Sequence, residues 1–323
     1  MKIRNLDLEG NVVLAPMSGV TDPPFRRMVQ QFGVSAVWTE MISADGLVTA
    51  GKRFRTMELS GHRVPTVFQL YGHDPAVLAH AAARLQEYGA AAVDLNMGCP
   101  ARKVVGRGEG AALMKDLPHA ARIVGAVRER LGLDVALTVK IRSGWDDDET
   151  IAPVLAKMIE AEGADGIVVH ARSRAKRHSG PASLEVVAAV KDAVKVPVIG
   201  NGGIVTPTDA LEMTARSGCD GVMVGRGALG RPWLPGKILS LLSSRSFPCR
   251  TTTTVSDVID RHFRYQLQWV APSVAVRRMR KHLVWYSAGF PEAARFRRQV
   301  LHLDDVTRVM EAVRNFFGKV VVA

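Results

Sequence analysis

Two side chains of this sequence carry reactive groups in positions that suit catalysis. Cys99 lies in Asn96-Met97-Gly98-Cys99-Pro100, directly after an apolar run, and Lys140 interrupts the apolar run Thr138-Val139-Lys140-Ile141. A free thiol with a pKa of about 8.5 is mostly protonated at neutral pH and is able to act as a general acid. A lysine on a buried strand needs an anionic or electron-rich partner, because an unpaired buried charge is costly. Cys99 is therefore a candidate proton donor or a small buried apolar residue. Lys140 is a candidate Schiff-base residue, a donor to a bound ring such as a flavin, or half of a structural ion pair.

Two glycine-rich segments have the composition of phosphate-binding loops. Asn201-Gly202-Gly203 and Gly225-Arg226-Gly227 each follow an apolar run. Glycines let backbone N–H groups approach a phosphate closely, and an arginine adds a charged donor. The alternative is that these glycines only make tight turns. His170 also ends an apolar run, where contact with a ligand competes with a role as a hydrogen-bonded core histidine.

The elements that must position these residues form a repeating pattern. Short apolar runs with helical stretches between them cover residues 12–17, 36–40, 66–69, 92–96, 136–141, 166–170, 197–201 and 221–224. Helices are predicted at 75–88, 119–131, 151–162, 183–194 and 207–217. Runs that are apolar on both faces are typical of buried parallel strands. Eight strand–helix repeats predict an α/β fold, a (β/α)8 TIM barrel. The competing fold, an open doubly wound sheet, usually has fewer strands.

Polar residues end these predicted strands, where such barrels place their active sites. They are Pro16, Met17, Ser18, Glu40, Gln69, Asn96, Lys140, His170, Asn201, Gly225 and Arg226, with Cys99 just beyond the fourth strand. One polar residue at the end of a buried strand is ordinary. A whole rim of them predicts a ligand. Cys219 and Cys249 have no such surroundings, and we expect both to be structural.

The pattern changes after Pro235. Residues 240–254 are rich in Ser and Thr and are predicted to be a linker. Three helical stripes follow, at 255–270, 276–286 and 306–317. We therefore expect a catalytic barrel at residues 1–240 and a small helical domain at residues 245–323.

The net charge of +12 is concentrated in this last part of the chain. Residues 1–240 hold 29 Lys and Arg against 25 Asp and Glu, a net +4, whereas residues 241–323 hold 14 against 6, a net +8. Such a surface attracts a polyanion, of which RNA or DNA is the commonest in a cytoplasm. A generally basic proteome is the alternative explanation.

Composition excludes several classes of protein. The chain is 47% hydrophobic and 23% charged, which excludes a disordered or collagen-like protein. No apolar run approaches the roughly 18 residues of a membrane span, and the first residues lead into no apolar secretion segment. Three cysteines without a CxxC pair predict neither a disulfide framework nor a zinc site. We expect a cytoplasmic protein, a monomer without a structural metal.

Seven motifs resemble, in chain order, those of the tRNA-dihydrouridine synthase family. They are Ala15-Pro16-Met17, Phe68-Gln69-Leu70-Tyr71-Gly72, Asn96-Met97-Gly98-Cys99-Pro100, Val139-Lys140-Ile141-Arg142, Val169-His170-Ala171-Arg172, Gly200-Asn201-Gly202-Gly203 and Gly225-Arg226-Gly227. Residues 279–286 resemble the helical tail of the bacterial members. The resemblance covers nearly the whole chain, and its most specific part is Asn-Met-Gly-Cys-Pro.

The resemblance implies an FMN-dependent barrel that uses NADPH to reduce the C5=C6 bond of particular uridines in tRNA. Hydride would pass from flavin N5 to uracil C6, and Cys99 would give the proton to C5. The implied FMN-contacting residues are Pro16, Met17, Ser18 and Gln69 around the flavin, Lys140 and His170 at the ring and ribityl region, and Asn201, Gly202, Gly203, Gly225 and Arg226 at the phosphate.

The expected contacts with tRNA are inferred from the positive charge of the chain and from the need to extrude the target base from its stack. Asn96 is expected to orient the base. Phosphate contacts are expected from Arg174, Lys176 and Arg177, and from Arg277, Arg278 and Lys281 in the tail. The loop 172–184 departs from the family pattern, with His178 and Ser183-Leu184 in place of an aromatic residue and an Asp-Trp pair.

Three other functions fit parts of the sequence. An FMN barrel that acts on a small molecule, such as a dihydroorotate- or dihydropyrimidine-type enzyme, shares the phosphate loops but leaves the basic tail without a role. A flavin-free aldolase would use Lys140 as its Schiff-base residue. A non-catalytic RNA-binding protein would not need the polar rim.

Overall fold

Eight parallel strands close into a barrel in the computed structural model, which describes residues 1–49, 57–59, 61–147, 150–243 and 252–322. A short antiparallel hairpin precedes the barrel, β1 (Lys2–Ile3) and β2 (Leu6–Asp7). The barrel strands are β3 (Val12–Leu14), β4 (Ala36–Trp38), β6 (Thr66–Tyr71), β7 (Ala92–Asn96), β8 (Ala136–Arg142), β9 (Gly166–His170), β10 (Val198–Asn201) and β11 (Gly221–Val224). The two-residue strand β5 (Ile42–Ser43) pairs with the end of β6. All eight predicted strands and the predicted closed barrel are confirmed.

Pairing between β3 and β11 closes the barrel, and the other strands follow one another in chain order around it. The register sets polar residues level with one another near the carboxyl ends. Asn96 of β7 is paired with Lys140 of β8, and His170 of β9 is paired with Asn201 of β10. Because side chains alternate along a strand, this register decides which of them share the barrel mouth.

Two apolar layers hold the barrel together. One lies between strands and outer helices and includes Val12 and Leu14 of β3, whereas Val13 belongs to a second cluster. This second cluster includes Ile3 and Leu6 of the amino-terminal hairpin together with apolar residues of the barrel strands. The hairpin was not predicted, and it packs against the barrel strands through Ile3 and Leu6.

Nine α-helices surround the barrel in the described part of the chain: α1 (Pro23–Gln30), α2 (Ala44–Thr49), α3 (Pro75–Glu87), α4 (Arg102–Val105), α5 (Leu117–Arg130), α6 (Ala152–Ala161), α7 (Leu184–Ala193), α8 (Pro207–Ser217) and α9 (Leu234–Ser243). The five predicted helices are among them. Side chains of Asp22, Asp74, Asp116, Ser183 and Thr206 cap the amino termini of α1, α3, α5, α7 and α8.

The predicted linker at 240–254 begins too early. Residues 240–243 belong to α9, because Ile238 and Leu239 of that helix are buried in the barrel core and Ser243 donates to the carbonyl of Leu239. Residues 244–251, with Cys249, lie outside the described part of the chain.

Four helices follow, α10 (Val255–Trp269), α11 (Pro272–Tyr286), α12 (Ala293–His302) and α13 (Val306–Phe317). The three predicted stripes correspond to α10, α11 and α13. Helix α12 was missed, because only Phe296 and Val300 of its ten residues are buried and arginines fill much of the rest. The four helices share an apolar cluster that also takes in Met28 and Phe32, at the end of α1 and just after it. The division into domains at 1–240 and 245–323 stays a prediction. No helix among the described residues has the length and apolarity that a bilayer crossing needs.

Candidate active site

The carboxyl ends of the barrel strands surround a cavity of about 610 Å³. This volume lies in the usual range for a small-molecule or cofactor site. Thirteen of the predicted site residues line it: Pro16, Met17, Ser18, Gln69, Asn96, Cys99, Lys140, His170, Asn201, Gly202, Gly203, Gly225 and Arg226. Glu40, also expected at the rim, is not among the lining residues and instead accepts from the N–H of Gly19.

A hydrogen-bonded chain connects a buried carboxylate, Asp94, to two residues of the cavity lining, Gln69 and Asn96. Asp94 accepts from Oγ1 of Thr138 at 2.6 Å and from Nε2 of Gln69 at 2.7 Å. Oε1 of Gln69 in turn accepts from Nδ2 of Asn96 at 2.9 Å. Burial raises the pKa of Asp94 to about 6, against the lowering effect of Thr138, Gln69, Lys140 and Trp38. Sequence reasoning missed Asp94, although an acid in the middle of an apolar strand was a visible signal.

Lys140 lines the cavity, and its side chain makes one hydrogen bond within the part of the chain that the structure describes. Its Nζ donates to Oδ1 of Asn201 at 3.0 Å, and Nδ2 of Asn201 donates to the carbonyl of Met223 at 2.7 Å. Burial lowers the pKa of Lys140 to about 7, with Arg142 adding to the shift and Asp94 opposing it. No ion pair of Lys140 is found among the described residues. The ammonium group thus faces the cavity with donor capacity to spare.

The loop that carries Cys99 is fixed from both sides. Oδ1 of Asn96 accepts from the N–H groups of Gly98 and Cys99 at 3.1 and 2.9 Å. Nε of Arg142 donates to the carbonyl of Gly98 at 2.6 Å, and its Nη1 donates to the carbonyls of Ser173 and Arg177. Burial raises the pKa of the Cys99 thiol above its usual value, which keeps the thiol protonated at neutral pH. Arg142 is a site residue that the sequence analysis quoted in a motif without giving it a role.

Cationic side chains and glycines lie together at the carboxyl ends of β9, β10 and β11. Arg172 and Arg226 both line the cavity, and burial together with Arg226 lowers the pKa of Arg172. Both guanidinium groups donate to carbonyls, Arg172 to Gly180 and Arg226 to His178. The two cations are close enough to affect each other, and none of their hydrogen-bond acceptors among the described residues is a carboxylate. This arrangement favours an anion at this end of the cavity.

The glycine at position 202 leaves room that a side chain would fill. Gly202 has φ +118°, and a Cβ there would lie 3.1 Å from the ring of His170 and 3.3 Å from Nη1 of Arg172. Only glycine adopts this conformation without strain and without closing the space between these two side chains.

Two histidines form one wall of the cavity. The rings of His170 and His178 are stacked with their centroids 5.7 Å apart. Burial lowers the pKa of both, with Lys140 and Arg142 adding to the shift for His170 and Arg142 and Arg226 for His178, to about 4 in His178. Both imidazoles are therefore neutral at physiological pH, and His178 occupies a place for which the sequence analysis had no assignment.

The residues expected to contact tRNA phosphates lie outside the cavity lining. Arg174 stacks over the ring of Trp145 at 4.3 Å, and Lys176 lies 3.6 Å from Asp147. In the tail, Arg277 is exposed, but the other two residues contact the barrel. Nη1 of Arg278 is 3.5 Å from Oδ2 of Asp22, and Nζ of Lys281 donates to the carbonyl of Gly19. Arg278 and Lys281 thus fasten α11 to the loop after β3.

Comparison with known proteins places the chain in a family. A family model described as dihydrouridine synthase matches residues 13–320. A probable tRNA-dihydrouridine synthase of Rickettsia conorii is 41% identical, over 99% of this chain and 97% of that protein. A tRNA-dihydrouridine synthase B of Pseudomonas aeruginosa is 37% identical, over 99% of this chain and 96% of that protein.

Solved structures share the barrel at low identity. An amine oxidase for 6-hydroxypseudooxynicotine from Pseudomonas geniculata N1 has a TM-score of 0.59 at 13% identity, over 81% of this chain and 52% of that one. A histamine dehydrogenase from Rhizobium sp. 4-9 has a TM-score of 0.58 at 13% identity, over 99% of this chain and 64% of that one. These likenesses concern the fold, whereas the full-length matches above carry the family. The chain belongs to the dihydrouridine synthase family and is a flavin-dependent oxidoreductase.

Proposed function

We propose that this protein reduces the C5=C6 bond of particular uridines in tRNA in the cytoplasm, with FMN as its bound cofactor and NADPH as the reductant. The observation that carries the proposal is the arrangement of the cavity. One cavity is lined both by the protonated thiol of Cys99 and by the glycine end, which is the part of the cavity around Gly202 and Arg226.

The residues at the glycine end fit the phosphate of FMN. Arg172 and Arg226 supply charge, and the space beside Gly202 lets backbone N–H groups approach an anion. Lys140 and Gln69 offer donors to the polar edge of a flat ring. Lys140 makes one hydrogen bond to the described residues, and the Gln69 amide is fixed in orientation. Bound FMN would supply the hydride that reaches C6 of uracil.

The chain's own residues then handle the proton and the base. Addition of hydride to C6 develops negative charge toward C5 and O4, so C5 must receive a proton. Cys99 holds a proton at neutral pH and lies on the cavity lining. Arg142, which donates to the carbonyl of Gly98, keeps a positive charge at neutral pH beside this thiol and would stabilise the thiolate left after transfer. Neutral His170 and His178 offer flat rings without adding a further charge.

Substrate access requires that the uridine leave its stack in the tRNA. The excess of +8 in residues 241–323 supplies phosphate attraction that offsets this cost. The same excess distinguishes the proposal from an FMN barrel that acts on a small pyrimidine, for which such a tail has no role.

The visible spectrum of the purified protein and its action on unmodified tRNA test the proposal together. We expect the two visible absorbance maxima of a flavin and the formation of dihydrouridine, which mass analysis of the tRNA measures. A spectrum without flavin, with a lysine trapped by borohydride in the presence of a carbonyl compound, would instead support the aldolase. Flavin with turnover of a free pyrimidine and none of tRNA would support the small-molecule enzyme.

Cys99→Ala separates the two half-reactions. Reduction of the bound flavin by NADPH needs no acid at the uracil and should stay near its normal rate. Reduction of tRNA uridine should fall by roughly 10²–10⁴, the usual contribution of a general acid. Cys219→Ala is the matched control, since Cys219 is buried against the strand–helix core away from the cavity. Equal losses in both half-reactions of Cys99→Ala would show that Cys99 is structural.

A further inference from the structure

Asp94 is a fully buried carboxylate that the proposed chemistry does not use. It lies in the middle of β7, with Val93 and Leu95 on either side in the strand–helix core. Its side chain turns the other way, toward the barrel interior, where it meets Thr138 and Gln69. A buried charge is costly, and the hydrogen bonds from Thr138 and Gln69 offset part of that cost for Asp94.

The hydrogen bonds of Asp94 determine how two amide side chains are turned. An ionised carboxylate only accepts hydrogen bonds, so Gln69 must present its NH₂ group to Asp94. The oxygen of Gln69 then faces Asn96 and accepts from its Nδ2. Asn96 must in turn present its oxygen to the backbone N–H groups of Gly98 and Cys99. Each step leaves one orientation for the next.

We infer that Asp94 is a positioning residue, which sets the orientation of the Gln69 and Asn96 amides and thereby holds the Cys99 loop in place. The relay has three hydrogen bonds between the carboxylate and the backbone of Cys99, at 2.7, 2.9 and 2.9 Å. The inference rests on the proposed function only for its effect on catalysis. Its effect on the loop stands on these contacts alone.

Two variants separate orientation from charge. Asp94→Ala removes the acceptor, so the Gln69 amide is free to turn and the oxygen of Asn96 no longer has a fixed direction. Asp94→Asn keeps an oxygen that accepts from Gln69, and its NH₂ group can donate to the hydroxyl of Thr138. The conservative variant should therefore rescue what the alanine variant loses.

The first measurement is the alkylation rate of the Cys99 thiol by iodoacetamide, read by peptide mass. It needs neither cofactor nor tRNA. We expect the rate to rise severalfold in Asp94→Ala as the loop loosens and to stay near the normal value in Asp94→Asn. Cys219 in the same sample is the internal reference for global loosening. Asp165→Ala is the matched control, because Asp165 is a half-buried acid before β9, at the amino end of the barrel, where it pairs with Arg4 and Arg128.

The second measurement is the split between the half-reactions. Dihydrouridine formation by Asp94→Ala should fall by up to about a hundredfold at saturating tRNA, the cost of misplacing a catalytic group by about 1 Å. With FMN at saturation, the KM for tRNA should change little, because most of the attraction for tRNA comes from the basic tail. Asp94→Asn should recover most of the loss. Should Asp94→Ala not fold, Asp94→Leu fills the same volume without an acceptor and replaces it.

Unchanged Cys99 alkylation in the alanine or leucine variant would overturn the inference. So would an Asp94→Asn variant as impaired as Asp94→Ala, because charge rather than orientation would then be what matters. Absence of tRNA reduction by the unmodified protein would contradict the proposed function instead, and the alkylation result would still decide the role of Asp94.

Discussion

Asp22 joins the barrel to the carboxyl-terminal helices through one buried side chain. Its Oδ1 accepts from the N–H of Phe25 at 3.0 Å, as the amino-terminal cap of α1. Its Oδ2 accepts from Nε2 of Gln266 in α10 at 2.9 Å and lies 3.5 Å from Nη1 of Arg278 in α11. Removal of this carboxylate thus removes a cap and an interhelical contact together.

We expect Asp22→Ala to lower the free energy of unfolding by about 2–4 kcal/mol. Loss of a capping side chain costs about 1 kcal/mol, and a hydrogen bond to a charged group contributes about 1.5–3 kcal/mol. Burial raises the pKa of Asp22, so desolvation of the carboxylate offsets part of this gain. Asp74→Ala is the matched control, because exposed Asp74 caps α3 through Val77 and should cost only the cap, about 1 kcal/mol.

Urea denaturation, followed by circular dichroism and tryptophan fluorescence, measures the free energy of unfolding of both variants. Coincidence of the two transitions tests whether the barrel and the carboxyl-terminal helices unfold together. The difference between Asp22→Ala and Asp74→Ala is the energy of the interhelical contact. Equal losses in the two variants would refute the reasoning, since the bonds to Gln266 and Arg278 would then contribute nothing. Gln266→Leu in the Asp22→Ala background should add little further loss, because the two residues share one contact.

Three further predictions concern charged side chains, two of them at Lys140 and one in the tail. Lys140→Met should fold but lose FMN, and the flavin content of the purified variant measures this. In the cofactor-free protein the unfolding free energy should rise between pH 7 and about 10, by at most about 1.4 kcal/mol per pH unit, because the unfolded chain keeps a proton on Lys140 that the folded chain has released; a pH series in which Lys140→Met has the same slope would contradict this. In the tail, reversal of the exposed Arg277, Arg295 and Arg298 to Glu leaves the bonds of Arg278 and Lys281 to the barrel intact. Affinity for tRNA should drop and its salt dependence should become shallower, by up to about 0.9 per lost contact on duplex regions and about 0.7 on single strands, while NADPH oxidation stays unchanged. The control variant reverses three exposed cations of the barrel, Lys2, Arg130 and Lys195. Equal effects of the two reversals would show that the tail has no specific part in tRNA binding.

The sequence by itself determined the barrel and most of the residues at its mouth. Runs such as 166–169 and 221–224 are apolar on both faces, which is typical of a strand buried between two layers, and eight predicted strands alternate with helices. Parallel strands present their carboxyl ends at one edge, so residues that end these runs had to meet. Lys140, His170 and Asn201 were predicted on that ground, and all three line the cavity.

Tertiary structure decided which of these side chains contact one another and what else reaches them. The bond between Gln69 and Asp94 depends on the register between β6 and β7, which no local pattern of either strand specifies. The pKa of Lys140 near 7 is likewise a property of its burial beside Arg142 and not of its sequence neighbours. In the tail, the helical period places Arg277, Arg278 and Lys281 on the polar side of α11. Only the packing of α11 against the loop after β3 decides that Arg278 and Lys281 contact the barrel and that Arg277 stays exposed. Periodicity identifies the face of a helix that avoids water, whereas the partner of each charge depends on how distant segments meet.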